Sequence, residues 1–266
     1  MRPTYHCDLN LQYVDAEQAD ILLNHVASLG YSAAALTYDA SSEDFTLPKC
    51  KIERKARQSE KVRNPIELLP KSLEIKTVDG TPLHIFRRLN VPIEDPRRFF
   101  DLAHHALCKT FDILSISTSE ERYLQQALDD PHVDIIELNL DMKRPVPVNR
   151  KHARQAQVNL KSFEISYGPV LTNPDDRCRF MGNCQRLVNN LQPGDRGKLP
   201  EVVMLSSGTE RPDVLRKPSD AVCLPELFGI PEKYGVLMNK DTAWQALNNA
   251  LSRRRTAKGC VQIVSF

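Results

Sequence analysis

The chain has 266 residues, of which 41% are hydrophobic and 26% charged, with a net charge of only +2. This suits a folded α/β protein with a substantial core and excludes a disordered or strongly polycationic one. No apolar run approaches the roughly 20 residues of a membrane-spanning helix. The start, MRPTYHCDLN, lacks the apolar stretch of a secretory leader, and the seven cysteines are scattered without CxxC spacing. Both features point to reduced thiols and an intracellular location, with no membrane contact.

Short β-prone runs alternate with amphipathic stretches along the chain. His6 to Leu11 reads as a strand, and Ala16 to Leu29 as a helix with Asp15 as N-cap and Gly30 as its stop. Tyr31 to Tyr38 is the second strand. Residues 39 to 82 break the rhythm: they are polar, carry four prolines, and are expected to form a loop insertion with a short helical turn near Ile66 to Leu69. Strands are then predicted at Leu83 to Val91, Phe111 to Ser117, Val133 to Leu140, Ser162 to Tyr167 and Glu201 to Ser206. The helices between them are Pro96 to Lys109, Glu120 to Leu128 (capped by Ser119), Arg150 to Asn159 and Asp175 to Leu191. A helix over Ser219 to Phe228, capped by Ser219, a terminal helix over Glu232 to Leu251 and a last strand over Gly259 to Phe266 complete the pattern. Repeated βα units predict one α/β domain over 1–266, a TIM-barrel-like (β/α) barrel, with 232–266 as terminal helix and strand. Val214 to Lys217 is the best candidate for an eighth strand, and an open doubly wound sheet is the alternative.

Catalytic constellations are sparse. No Walker loop, G-x-G-x-x-G fingerprint or G-x-S-x-G elbow is present. His6 and Asp8 fall on one face of the first strand, expected to be the barrel interior. The other histidines are predicted on helices or near strand starts, so a complete ligand set is not expected. Ser206-Ser207-Gly208 before a basic turn could cradle phosphate. No aromatic hexamer of the RRM type or GXXG loop occurs, so any RNA contact is expected through phosphate and shape. The candidate contacts are Lys143, Arg144, Arg150 and Lys151 after strand five, Arg177 and Arg179 after strand six, and Arg211, Arg216 and Lys217 after strand seven. Loops after parallel strands open on one barrel end, where separate clusters would merge into one positive surface.

Several strings then carry a resemblance. Leu29-Gly30-Tyr31-Ser32-Ala33-Ala34-Ala35, Arg88-Leu89-Asn90-Val91 with Asp95-Pro96, Phe111-Asp112-Ile113-Leu114, and Phe163-Glu164-Ile165-Ser166-Tyr167 with Arg177-Cys178-Arg179 occur in order. Ser206 to Pro212, Leu215 to Asp220 and Leu227-Phe228-Gly229 follow. Together they resemble the thirty-kilodalton protein subunit family of ribonuclease P and ribonuclease MRP, in a eukaryotic, fungal form. The resemblance implies a barrel related to PHP-type phosphatases, and an RNA-binding scaffold in a nuclear and nucleolar ribonucleoprotein. It implies that the RNA, with its Mg2+, catalyses removal of precursor-tRNA 5′ leaders, with ribosomal RNA processing in the MRP form, and that this chain holds no cofactor. A small partner subunit of ferredoxin-like fold is implied as well. His6 and Asp8 lie where the phosphatases begin their first metal motif, but the later histidine ligands do not match, which implies a degenerate remnant. A metal-dependent PHP-type phosphoesterase is the alternative.

Overall fold

The computed structural model describes residues 6–41, 43–45, 64–66, 75–191 and 201–255. Among these residues, seven strands form one parallel sheet in sequence order: β1 (Cys7–Gln12), β2 (Ala33–Asp39), β3 (His84–Pro92), β4 (Ile113–Ser117), β5 (Ile135–Leu138), β6 (Ser162–Ser166) and β7 (Val203–Ser206). The sheet curls into a nearly closed TIM-barrel-like ring. The outward side chains, such as Leu36, Leu89, Ile116, Ile136, Phe163 and Leu205, join the outer helices in a continuous apolar layer. The inward ones at the strand starts, Cys7, Leu9, Ala33, Ala35, Ile113, Ile135 and Met204, form a second cluster. Both faces of the strands are thus buried, as a parallel sheet requires.

The helices are α1 (Ala16–Leu29), α2 (Arg97–His104), α3 (Glu121–Asp129), α4 (Arg150–Val158), α5 (Gly168–Thr172), α6 (Pro174–Leu191), α7 (Pro218–Ala221), α8 (Leu224–Leu227), α9 (Glu232–Leu237) and α10 (Ala243–Arg255). α1 begins and ends as expected: the Asp15 carboxylate accepts the Gln18 N–H at 2.8 Å, and Gly30 turns left-handed at φ 93°. α10 closes the bottom of the barrel, where Ala243, Ala246, Leu247 and Ala250 pack on the inner apolar cluster. Small residues there let the helix approach the strand ends closely.

Several boundaries differ from expectation. The helix expected at Pro96 to Lys109 ends at His104 and continues as a 3₁₀ turn over Leu107–Thr110. Ser119 does not cap α3; the Thr118 hydroxyl accepts the Glu120 N–H instead. Ser219 does not cap either, because Pro218 already occupies the first turn of α7, and its hydroxyl turns to Asp220. Pro225 lacks an N–H and splits the expected Ser219 to Phe228 helix into α7 and α8. A π-helical turn, Met238–Thr242, joins α9 to α10 within the expected terminal helix. The predicted last strand, Gly259 to Phe266, and most of the turn at Ile66 to Leu69 lie outside the described residues.

No eighth strand forms at Val214 to Lys217. Pro212–Val214 is a 3₁₀ turn, and the Arg216 backbone is held on both sides by phenols. Its N–H donates to the Tyr167 hydroxyl at 3.2 Å, and its carbonyl accepts from the Tyr31 hydroxyl at 3.0 Å. Neither group is left for a strand ladder. The ring closes by a shorter route: the Gly208 N–H donates to the Asn10 carbonyl at 2.8 Å, and the Gln12 N–H to the Thr209 carbonyl at 3.0 Å. Gly208 is required there. Its φ is +60°, and a Cβ would fall 2.5 Å from Ser166 Cβ.

Candidate nucleic-acid interface

A bulge between Asp8 and Leu11 decides which way the first strand points its polar groups. Before it, Cys7 and Leu9 face inward. After it the phase is reset: Leu11 joins the outer layer, and Asn10 faces in among Glu164 and Ser166. His6 and Asp8 therefore lie on the outer side of β1, contrary to the expectation that they enter the barrel. His6 Nδ1 lies 3.1 Å from Asn239 Oδ1 in the π-helical turn. One Asp8 oxygen accepts the N–H groups of Asn10 and Ser207, and the other is buried without a partner. Among the described residues, no three His, Cys, Asp or Glu side chains converge as a metal site.

Burial pushes the Asp8 carboxyl up from 3.8 to about 6, more strongly than its hydrogen bonds lower it. Between these values the folded chain holds a proton on Asp8 that the unfolded chain has released, so the stability contributed by Asp8 is complete below about pH 4 and is lost as pH rises through about 6. The urea midpoint should fall across that window, and Asp8→Asn should flatten the fall. An unchanged slope in the variant would remove Asp8 as its source.

The barrel interior is occupied by charge that pairs with itself. Arg88 and Glu164, both fully buried, form a two-pronged ion pair across the ring at 2.7 and 2.5 Å. Arg88 also donates to the Leu9 carbonyl and the Ser115 hydroxyl, so one guanidinium ties β1, β3, β4 and β6 together. Nearer the mouth, Asn90 Nδ2 donates to Glu137 and to Asp39, each at 2.8 Å. Glu137 is raised by burial first and then by the negative charge of Glu164. This is the place where barrel enzymes carry their reacting groups, and here its side chains brace one another.

The nine basic candidates follow β5, β6 and β7, three adjacent strands. Lys143, Arg144 and Lys151 are exposed, as are Arg177, Arg211 and Lys217. Arg150 and Lys151 sit in the first turn of α4, whose N-cap Asn149 accepts the N–H of Lys151 at 2.9 Å. Two cations at a helix N-terminus oppose its dipole and add to an anion-attracting end.

The structure separates positioning from display. Arg177 Nε donates to the Val170 carbonyl at 3.0 Å, pinning α6 to α5. Arg179 donates to the Asp141 carbonyl at 2.9 Å and pairs with Asp176 at 2.7 Å. Asn183 donates to the carbonyls of Leu140 and Met142. Arg179 and Asn183 thereby hold the loop that displays Lys143 and Arg144. Arg211 pairs with Asp213 through two bonds, and Arg216 donates to the Asp213 and Leu215 carbonyls. The sequence reading missed Asn183 and the clamp of Tyr31 and Tyr167 on Arg216, because neither has a local signature.

A family model described as "RNase P subunit p30" matches residues 5–255. The chain is 29% identical over 215 residues to "Ribonuclease P protein subunit p30" of Mus musculus, covering 80% of this chain and 74% of that protein. It is 25% identical over 232 residues to "Probable ribonuclease P protein subunit 3" of Schizosaccharomyces pombe, covering 86% and 84%. A chain from a cryo-EM structure of archaeal ribonuclease P with mature tRNA has the same fold, with a TM-score of 0.61 at 14% identity and 98% coverage of both chains.

Proposed function

The chain belongs to the RNase P subunit p30 family, and from that membership we propose that it is a protein subunit of ribonuclease P, binding and scaffolding the RNA that removes precursor-tRNA 5′ leaders. The observation that carries this reading is the set of basic loops after β5, β6 and β7, two of them held in place by dedicated hydrogen bonds to their backbones. Ordering a charged loop costs conformational entropy. Held cations favour a partner with closely spaced negative charge, and an RNA backbone is such a partner. Arg177 and Arg179 position the surface, while Lys143, Arg144, Arg150, Lys151, Arg211, Arg216 and Lys217 face the RNA. Mg2+ is carried by that RNA, not by this chain.

The proposal extends to ribonuclease MRP and ribosomal RNA processing, to a nuclear and nucleolar location, and to a small ferredoxin-like partner subunit. Depletion of the protein from a cell extract tests the core of it. Cleavage of precursor-tRNA leaders should disappear and return on adding the purified chain with its co-depleted partners. Undiminished cleavage after complete depletion would overturn the reading.

A further inference from the structure

Away from the basic loops, α2 carries an aromatic side chain in an unexpected place. The helix buries Phe99 and Leu102, while Phe100 stands on its outer face with 67% of its surface exposed. Among the described residues it is the only aromatic among the large exposed hydrophobics. One exposed ring alone needs no explanation. This one lines a cleft of about 620 Å³ together with Phe45, Arg97, Arg98, His104 and His105. The Phe100 and His104 rings lie 4.3 Å apart, and those of Phe45 and His105 5.2 Å apart. The Arg98 guanidinium covers the Phe45 ring at 4.7 Å.

The two acids of the cleft are already engaged. Asp95 accepts the Arg97 N–H at 2.9 Å, and Asp101 faces Arg98 at 3.4 Å. What the cleft offers a ligand is the exposed Phe100 ring, bordered by guanidinium and imidazole groups and by the two engaged carboxylates. An apolar peptide would need none of these polar groups, and a bare phosphate none of the rings. A nucleotide needs both, stacking its base on ring or guanidinium planes and directing its phosphate to Arg97 and the imidazoles.

We propose that this cleft on α2 binds an unpaired nucleotide of single-stranded RNA by base stacking on Phe100 and its neighbours. The proposal deepens the RNA-binding reading, but its surface is separate from the basic loops after β5, β6 and β7, so the two can fail independently. The test titrates the full chain into a single-stranded oligoribonucleotide with one 2-aminopurine, whose fluorescence is quenched by stacking. The wild-type chain should quench it. Phe100→Ala should weaken binding about 5- to 100-fold, as expected for loss of one stacked base. Phe100→Trp should restore the quench, and Phe100→Leu, which keeps the apolar bulk without a ring, should not. Binding of folded ribonuclease P RNA is measured in parallel. Wild-type binding of the folded RNA without quenching, or full quenching by Phe100→Leu, would overturn the stacking site and leave the broader function standing. Failure to bind either RNA would overturn both.

Discussion

Replacing Glu164 with alanine should destabilise the protein by about 3–5 kcal/mol, because it leaves a fully buried arginine without its counter-charge. Against a typical folding stability of roughly 5–15 kcal/mol, that is a large fraction of the whole. The mechanism is specific. Arg88 reaches β1 through the Leu9 carbonyl, β4 through Ser115 and β6 through Glu164, so it spans the ring. Removing Glu164 also strips Asn10 of an acceptor beside the bulge in β1. A double variant, Arg88→Met with Glu164→Leu, should recover much of the loss, since it deletes both charges instead of stranding one. Urea unfolding of the two variants decides the matter. A cost below about 1 kcal/mol for Glu164→Ala would mean that solvent enters the barrel and that the pair does not hold it.

Neutralising Lys143, Arg144, Lys151 and Lys217 together should weaken binding of the ribonuclease P RNA more than about tenfold. The slope of log affinity against log salt should flatten by about one for each phosphate that is no longer neutralised. These four are chosen because they are exposed and hold no structural hydrogen bond through their side chains among the described residues. Arg177 and Arg179 are poorer choices for this experiment. Their guanidinium groups bind the carbonyls of Val170 and Asp141, so substitution would move a loop as well as remove a charge. Filter-binding titrations at several salt concentrations give both quantities. Unchanged affinity and slope would move the RNA to another face of the barrel.

The parts of this molecule that a reader of the sequence can recover are those set by local chemistry. Asp15 and Gly30 bracket α1 because a carboxylate cap and a left-handed glycine act within a few residues. The βα rhythm is legible because each strand is buried on both faces. What escaped depends on distant partners. Val214 to Lys217 looks extended, yet Tyr31 and Tyr167 occupy the backbone of Arg216 from far along the chain. His6 and Asp8 point outward because a bulge shifts the phase of β1, and no residue type there announces it. The Arg88–Glu164 pair did leave a trace: each is a charged residue in the middle of a predicted strand, and the two have opposite signs. Reading such opposed charges in central strands as one buried pair would have found it. The basic residues were legible as clusters, but sequence could not separate Arg179, which holds a loop, from Lys143, which is displayed on it.

The most direct measurement is to purify the tagged full chain from cells and sequence the RNA that comes with it. The ribonuclease P RNA should be strongly enriched, and that enrichment should be lost in the variant lacking the charges of Lys143, Arg144, Lys151 and Lys217. A chain that assembles with its protein partners while enriching no such RNA would contradict it.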